Sequence, residues 1–347
     1  MTAEAAVTPH RLRFAVPAGS RVAWPTAFGR RFLVTVDVEE EFDWSQPFSR
    51  AARGVAAIAA LPAMHRRLAD AGVTPLYFVD HPVAADPRAA ATIRALLTDG
   101  ATVGAQLHPW VNPPFRGEAG PLASFAGNLP PALEAAKLDA LVGAIGDGVG
   151  VRPVAYRAGR YGLGPATLAL LASLGFRVDS SMRAYHDYRD EGGPDYSRVD
   201  AGAFRPVPGL LELPLTSVFT GAARRAGPVL HRWAGQVPRG RGVLARAGLV
   251  SRVPLTPEGV PAAEAVRAVA SAAANGERLL VLSFHSPSLV PGNTPYVRDA
   301  DDLAAFHGWW EAVLPALAAA GFAPASLDEV LAAAGGAVGP AGLEPAT

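Results

Sequence analysis

The sequence predicts a single α/β barrel of about seven strand–helix units. Short apolar, β-branched runs alternate with helical stretches along the chain, the pattern of parallel strands joined by helical crossovers. Half of the 347 residues are hydrophobic and 18% are charged, enough for one large buried core. Nearly every predicted strand also ends in a polar residue: Asp37, Asp80, His108, Arg157, Asp179 and His285. Carboxyl ends of parallel barrel strands meet at one mouth, where active sites are built.

The first strand is the continuous run Phe32–Val36, as expected of a strand buried on both faces. A helix follows over 55–71, with Ile58, Leu61, His65 and Leu68 on one stripe and Gly72 as its stop. Strands at 73–79 and 101–107 flank a helix at 87–98, whose Pro87 suits a first turn. Helix is expected at 132–145, strand at 154–157, helix at 165–174 and strand at 176–178. Helices at 261–274, 300–320 and 327–333 surround a last strand at 279–284. Residues 183–260 show one strand, Leu210–Leu215, and read as a large insertion before the last strands. The organisation is therefore an extension over 1–30, a barrel over 31–333 and a small-residue, disordered tail over 334–347.

Composition removes several classes. The 31 basic and 31 acidic residues cancel, so no net field attracts nucleic acid or an anionic membrane. All basic residues are Arg except Lys137, which with abundant Ala reads as GC-rich codon usage. Without cysteine there is no disulfide, thiolate metal site or Cys nucleophile. No signal-peptide core or 18-residue apolar run is visible, so a cytoplasmic location is expected. GxSxG, HExxH and P-loop motifs are missing, and the glycines at 159–164 are in the wrong order for a dinucleotide site.

Asp37 and Glu39 lie two apart directly after a buried strand, on the face that carries Leu33 and Thr35. Two carboxylates so placed repel unless a cation lies between them, which suits a division into base and metal ligand. Glu40, Glu41 and Asp43 read as a solvated charge run. Arg157 can pin a carboxylate, and His285 can serve as a general acid. His108 is either a satisfied strand-end histidine or part of the same site. Trp44 and Trp110 are placed to stack on a sugar ring, whereas Trp309 and Trp310 read as packing.

The strings FLVTVDVEEEFDW (from Phe32), AQLHPWVNPPF, YRAGRYG, VDSSM and LSFHSPSLVPGNTPYVRD resemble the polysaccharide deacetylases of the NodB-homology group, carbohydrate esterase family 4. They look closest to the branch that contains the lipopolysaccharide-biosynthesis protein WalW. The resemblance, over Trp24 to Leu331, implies a distorted (β/α)7 barrel and metal-dependent removal of an acetyl group from an amino sugar or polysaccharide precursor. It implies Asp37 as base, Arg157 as its orienting partner and His285 as proton donor, with Asp179 a further catalytic candidate. The family's second carboxylate position holds Val38, so Glu39 is the implied metal ligand. Gln106 and Trp110 stand where the family has two histidines, with His108 between them. Glu39, His108 and Asp80 are then the candidate ligands for a divalent metal, zinc first. A glycan-binding barrel without catalysis and a metal-independent hydrolase using Asp37 and Glu39 are the competing readings.

Overall fold

The computed structural model describes residues 7–117 and 119–335. The tail expected over 334–347 lies outside the described residues from 336 onward, as does the start of the extension before residue 7.

In chain order the strands are β1 (Arg13–Ala15), β2 (Arg30–Val38), β3 (Leu76–Val79), β4 (Thr102–Leu107), β5 (Ala155–Ala158), β6 (Val178–Asp179) and β7 (Asp195–Arg198). They continue as β8 (Phe204–Val207), β9 (Leu210–Glu212), β10 (Ser217–Thr220), β11 (Ser251–Pro254), β12 (Leu279–His285) and β13 (Phe322–Pro324). The main sheet runs β12-β2-β3-β4-β5-β6-β9 with every neighbour parallel, and β8 adds an antiparallel edge beyond β9. These parallel strands coincide with the apolar runs of the sequence. Along β2 the side chains alternate. Val34, Val36 and Val38 join the core cluster shared with the surrounding helices, while Leu33 packs inside with Leu76, Phe78, Val178 and Val281. Leu327, Val330 and Leu331 belong to that inner cluster and plug the lower end.

The sheet does not close by a continuous ladder. Pro214 has no N–H to extend β9. The gap to β12 is bridged instead by Thr216, whose N–H donates to the Val281 carbonyl at 3.0 Å. Its hydroxyl accepts from the Val281 N–H at 2.9 Å. The result is a curled sheet pinned at its seam.

The helices are α1 (Leu61–Asp70), α2 (His81–Ala85), α3 (Pro87–Leu97), α4 (Pro131–Val149), α5 (Thr167–Ser173), α6 (Gly227–Ala234), α7 (Gly240–Arg246), α8 (Ala262–Ala274), α9 (Ala300–Ala319) and α10 (Leu327–Ala333). The stripe Ile58, Leu61, His65 and Leu68 is buried, although its first turn is 3₁₀ rather than α. Trp309 and Trp310 are buried packing residues of α9. Residues 183–260 contain the barrel strand β9, its partner β8, and the antiparallel pair β10–β11 that frames α6 and α7. Their strands are short and, apart from the β8–β9 hairpin, pair far along the chain, β1 with β7 for example, so little local periodicity announces them.

Lys137 of α4 is buried, and its Nζ donates to the carbonyls of Pro109 at 2.9 Å and Asn112 at 2.5 Å. It thereby ties down the loop after β4, on which Trp110 sits.

Glu134, one turn earlier, is buried and accepts from the Thr167 hydroxyl at 2.6 Å. Burial pushes its carboxyl up to about 7. Between its ordinary value and that point the folded chain holds a proton that the unfolded chain has lost. Stability from this group is therefore full at low pH and falls as pH rises through that window. Glu134→Gln should flatten the decline, removing up to ~3 kcal/mol of pH dependence; thermal melts from pH 4 to 8 read this directly.

Candidate active site

The end of β2 places Asp37 inside the barrel, in register with His285 of β12. Arg157, fully buried on β5, donates from Nη1 to Asp37 Oδ1. Its Nη2 donates to Thr35 Oγ1 and Ser180 Oγ, both at 3.0 Å, and its Nε to the Ser180 carbonyl at 3.0 Å. The guanidinium also lies over the Phe78 ring, 4.2 Å from its centre. Four of the five N–H groups of the fork are thus engaged, and Asp37 is left with Oδ2 facing His285 Nε2 at 3.4 Å.

His285 is held from behind by Glu258, whose Oε2 is 2.7 Å from Nδ1. The other Glu258 oxygen accepts from the Ser288 hydroxyl at 2.6 Å and the His285 N–H at 3.0 Å. Burial alone would lower the imidazole pKa, but Glu258, Glu39 and Asp37 together carry it well above the usual histidine value. The Glu258 carboxyl, against its own burial, is held below the usual range by the same histidine. Sequence reasoning missed Glu258. It lies in the unreadable stretch, marked only as the first acid after a run without Asp or Glu from 213 to 257.

A second group adjoins the first. Glu39 Oε2 accepts from Gln106 Nε2 at 2.9 Å and stands 3.5 Å from His108 Nε2. Gln106 Nε2 is also 3.2 Å from His108 Nε2. His108 Nδ1 lies 2.8 Å from Glu40 Oε2, which orients its Nε2 toward Glu39 and Gln106. Glu40 is therefore not a solvated charge as the sequence suggests. It is buried because His108 gives it a partner. Burial raises the Glu40 carboxyl and pushes Glu39 up to about 8, with Asp37 and Glu40 adding to the Glu39 shift and both histidines opposing it.

The structure brings Asp37, Glu39, His108 and His285 to one cavity of about 380 Å³, which Gln106 and Trp44 also line. Arg157 sits behind Asp37. Asp80 groups with Glu40 and His108 rather than with Glu39. Its oxygens accept from the backbone N–H groups of Glu40 and Val83, both at 2.8 Å, so it caps α2 and fixes Glu40. Asp179 is buried beside Glu212 in the neighbouring strand and does not line the cavity; burial raises both carboxyls. Trp110 is not a sugar platform: it is buried and stacked on His108, with ring centres 4.4 Å apart. Trp44 remains half-exposed at the rim.

Arg160 and Tyr161, also in the cavity wall, have left-handed backbone with φ of 52° and 61°. Such geometry disfavours side chains with a Cβ and collects at functional sites.

Two groups of donors lie close enough together to hold a metal ion, Asp37–Glu39–His285 and Glu40–Asp80–His108, and Glu39 and His108 face each other across them at 3.5 Å beside the Gln106 amide. Both donors are buried and face the same space, and the Gln106 carbonyl oxygen beside them is buried without a partner. Turning the Gln106 amide over would offer that oxygen to the same space, as a weaker donor than imidazole.

No protein-family model and no curated protein sequence matches the chain. Among solved structures, a candidate polysaccharide deacetylase from Mycobacterium smegmatis aligns at 20% identity with a TM-score of 0.48, over 90% of this chain and 98% of that one. A family 4 carbohydrate esterase from Streptomyces lividans in complex with acetate aligns at 12% identity and TM-score 0.42, over 87% and 94%. A 4-alpha-glucanotransferase from Thermococcus litoralis aligns at 9% identity and TM-score 0.48, over 88% of this chain and 40% of that one.

Gly159 lets β5 approach His108. A Cβ there would collide with His108 Cδ2 and lie 2.6 Å from the Leu107 carbonyl. Gly159→Ala should destabilise the fold by ~1–3 kcal/mol, as overpacking does, and swing His108 off Glu40. A denaturant titration measures the first effect, and an NMR titration of the His108 ring the second.

Proposed function

We propose that the chain is a hydrolase that removes an acetyl group from an acetylated sugar, with a divalent metal held by Glu39 and His108. The observation that carries this reading is the opposed pair at the mouth. Asp37 has one oxygen pinned by Arg157 and one free, and His285 points at that free oxygen while Glu258 grips its far side. Acyl hydrolysis needs a base to take a proton from water and an acid to give one to the departing amine or hydroxyl. Asp37 Oδ2 serves as the base. His285, held in its protonated form by Glu258 and the neighbouring carboxylates, serves as the acid. The metal, when bound, acidifies the attacking water and polarises the acetyl carbonyl. Trp44 at the rim offers a face for the sugar ring.

The metal-free alternative draws on Glu39, whose carboxyl near 8 can hold a proton opposite Asp37. Metal content separates the two. Isothermal titration of zinc should show binding by the wild type, loss in Glu39→Ala and in His108→Ala, and tighter binding in Gln106→His. Binding that survives both alanine substitutions assigns the metal elsewhere.

With an acetylated chitooligosaccharide or acetylxylan as probe, Asp37→Asn and His285→Ala should each lower acetate release by ~10²–10⁴-fold. Glu258→Gln should lower the His285 pKa and so shift the alkaline limb of the pH–rate profile to lower pH. A loss below about tenfold for either of the first two would remove that residue from proton transfer.

A further inference from the structure

The hairpin of α6 and α7 carries an amphipathic pattern turned inside out. On α6 the buried residues are Gly227, His231 and Ala234, and His231 packs on Phe219 of β10 with ring centres 5.4 Å apart. Its outer face carries Val229 and Trp233, exposed by 60% and 65%, and Val237 in the turn to α7 is exposed by 50%. Val243 of α7 is exposed by 59%. A surface helix ordinarily turns such residues to the core.

Along this stretch of the chain the charge is of one sign. From 213 to 257 the chain has no Asp or Glu, while Arg224, Arg225, Arg232, Arg239, Arg241 and Arg246 all fall on this hairpin or at its foot. None of these arginines forms a salt bridge among the described residues, whereas Arg21, Arg67, Arg189 and Arg298 do. The Nε of Arg224 is buried without a partner. The neutral total of the chain thus conceals a local cationic surface.

We propose that α6–α7 is a docking element that lies on an anionic lipid surface, its Val229, Trp233 and Val237 in the acyl boundary and its arginines on headgroup phosphates. An exposed apolar stripe flanked by unpaired cations, with Trp among the apolar residues, is what an interfacial helix requires. Each cation near such a surface adds to the attraction, and Arg adds bidentate phosphate contacts. A second copy of the chain does not fit, because it would bring the same arginines face to face. Nucleic acid would satisfy the arginines but leave the valines exposed. Among the described residues no helix is long and apolar enough to cross a membrane, so the contact is with the surface. The inference is independent of the proposed hydrolase reading.

Co-sedimentation of the full chain with vesicles tests it, using pure phosphatidylcholine against a 7:3 mixture with phosphatidylglycerol. The wild type should partition at least tenfold more onto the anionic vesicles. Trp233→Ala should lose most of that binding, and Arg232→Gln/Arg239→Gln should lower it by at least tenfold. These positions are exposed, and melting temperatures check that folding is unchanged. Equal binding to both vesicle types, no binding to either, or wild-type binding by both variants overturns the proposal. Salt-sensitive binding to DNA with no preference for anionic vesicles overturns it in favour of nucleic acid.

Discussion

The candidate site depends on the buried pairing of Arg157 with Asp37. A carboxylate taken out of water at the end of a strand needs an immediate partner, and a guanidinium there needs acceptors for its donors. The fold supplies both conditions with groups from three elements: Thr35 of β2, Ser180 just after β6, and the Phe78 ring of β3. These neighbours leave Arg157 no alternative position, so Asp37 has none either. Removing Arg157 would leave the charge of Asp37 stranded, whereas removing Asp37 would leave the other guanidinium contacts in place. The orientation of Asp37 toward His285 is thus a property of the barrel interior rather than of a mobile loop.

Around this pair the site is layered. Glu258 holds His285, Glu40 holds His108, and Asp80 holds Glu40 through a backbone amide. Each ring that faces the cavity is fixed by a carboxylate that does not. In this arrangement only one nitrogen of each histidine is left for chemistry, Nε2 in both cases.

Much of the frame was legible because it is local. Continuous apolar runs revealed the parallel strands, and polar residues at their ends revealed which positions converge, Asp37, His108, Arg157 and His285 among them. What the sequence concealed was long-range. Glu40 resembled its solvated neighbours until His108 was brought beside it, and Glu258 belonged to no readable element at all. The Asp80–His81–Pro82 start of α2 did carry a helix-start signal, an Asp cap with Pro in the first turn, but its position at a strand end also suited a metal ligand. Pattern analysis also assumes that apolar stripes face inward, and α6 violates that assumption.

The single lysine has one more consequence. With the ε-amine of Lys137 buried against two backbone carbonyls, every other basic side chain of the chain is arginine. Open-chain sugars condense with amines to give Schiff bases, the first step of glycation, and a guanidinium does not enter that reaction. The described surface therefore presents no side-chain amine to an aldehyde. A sugar of the proposed class would meet no side-chain amine among the described residues at the barrel mouth.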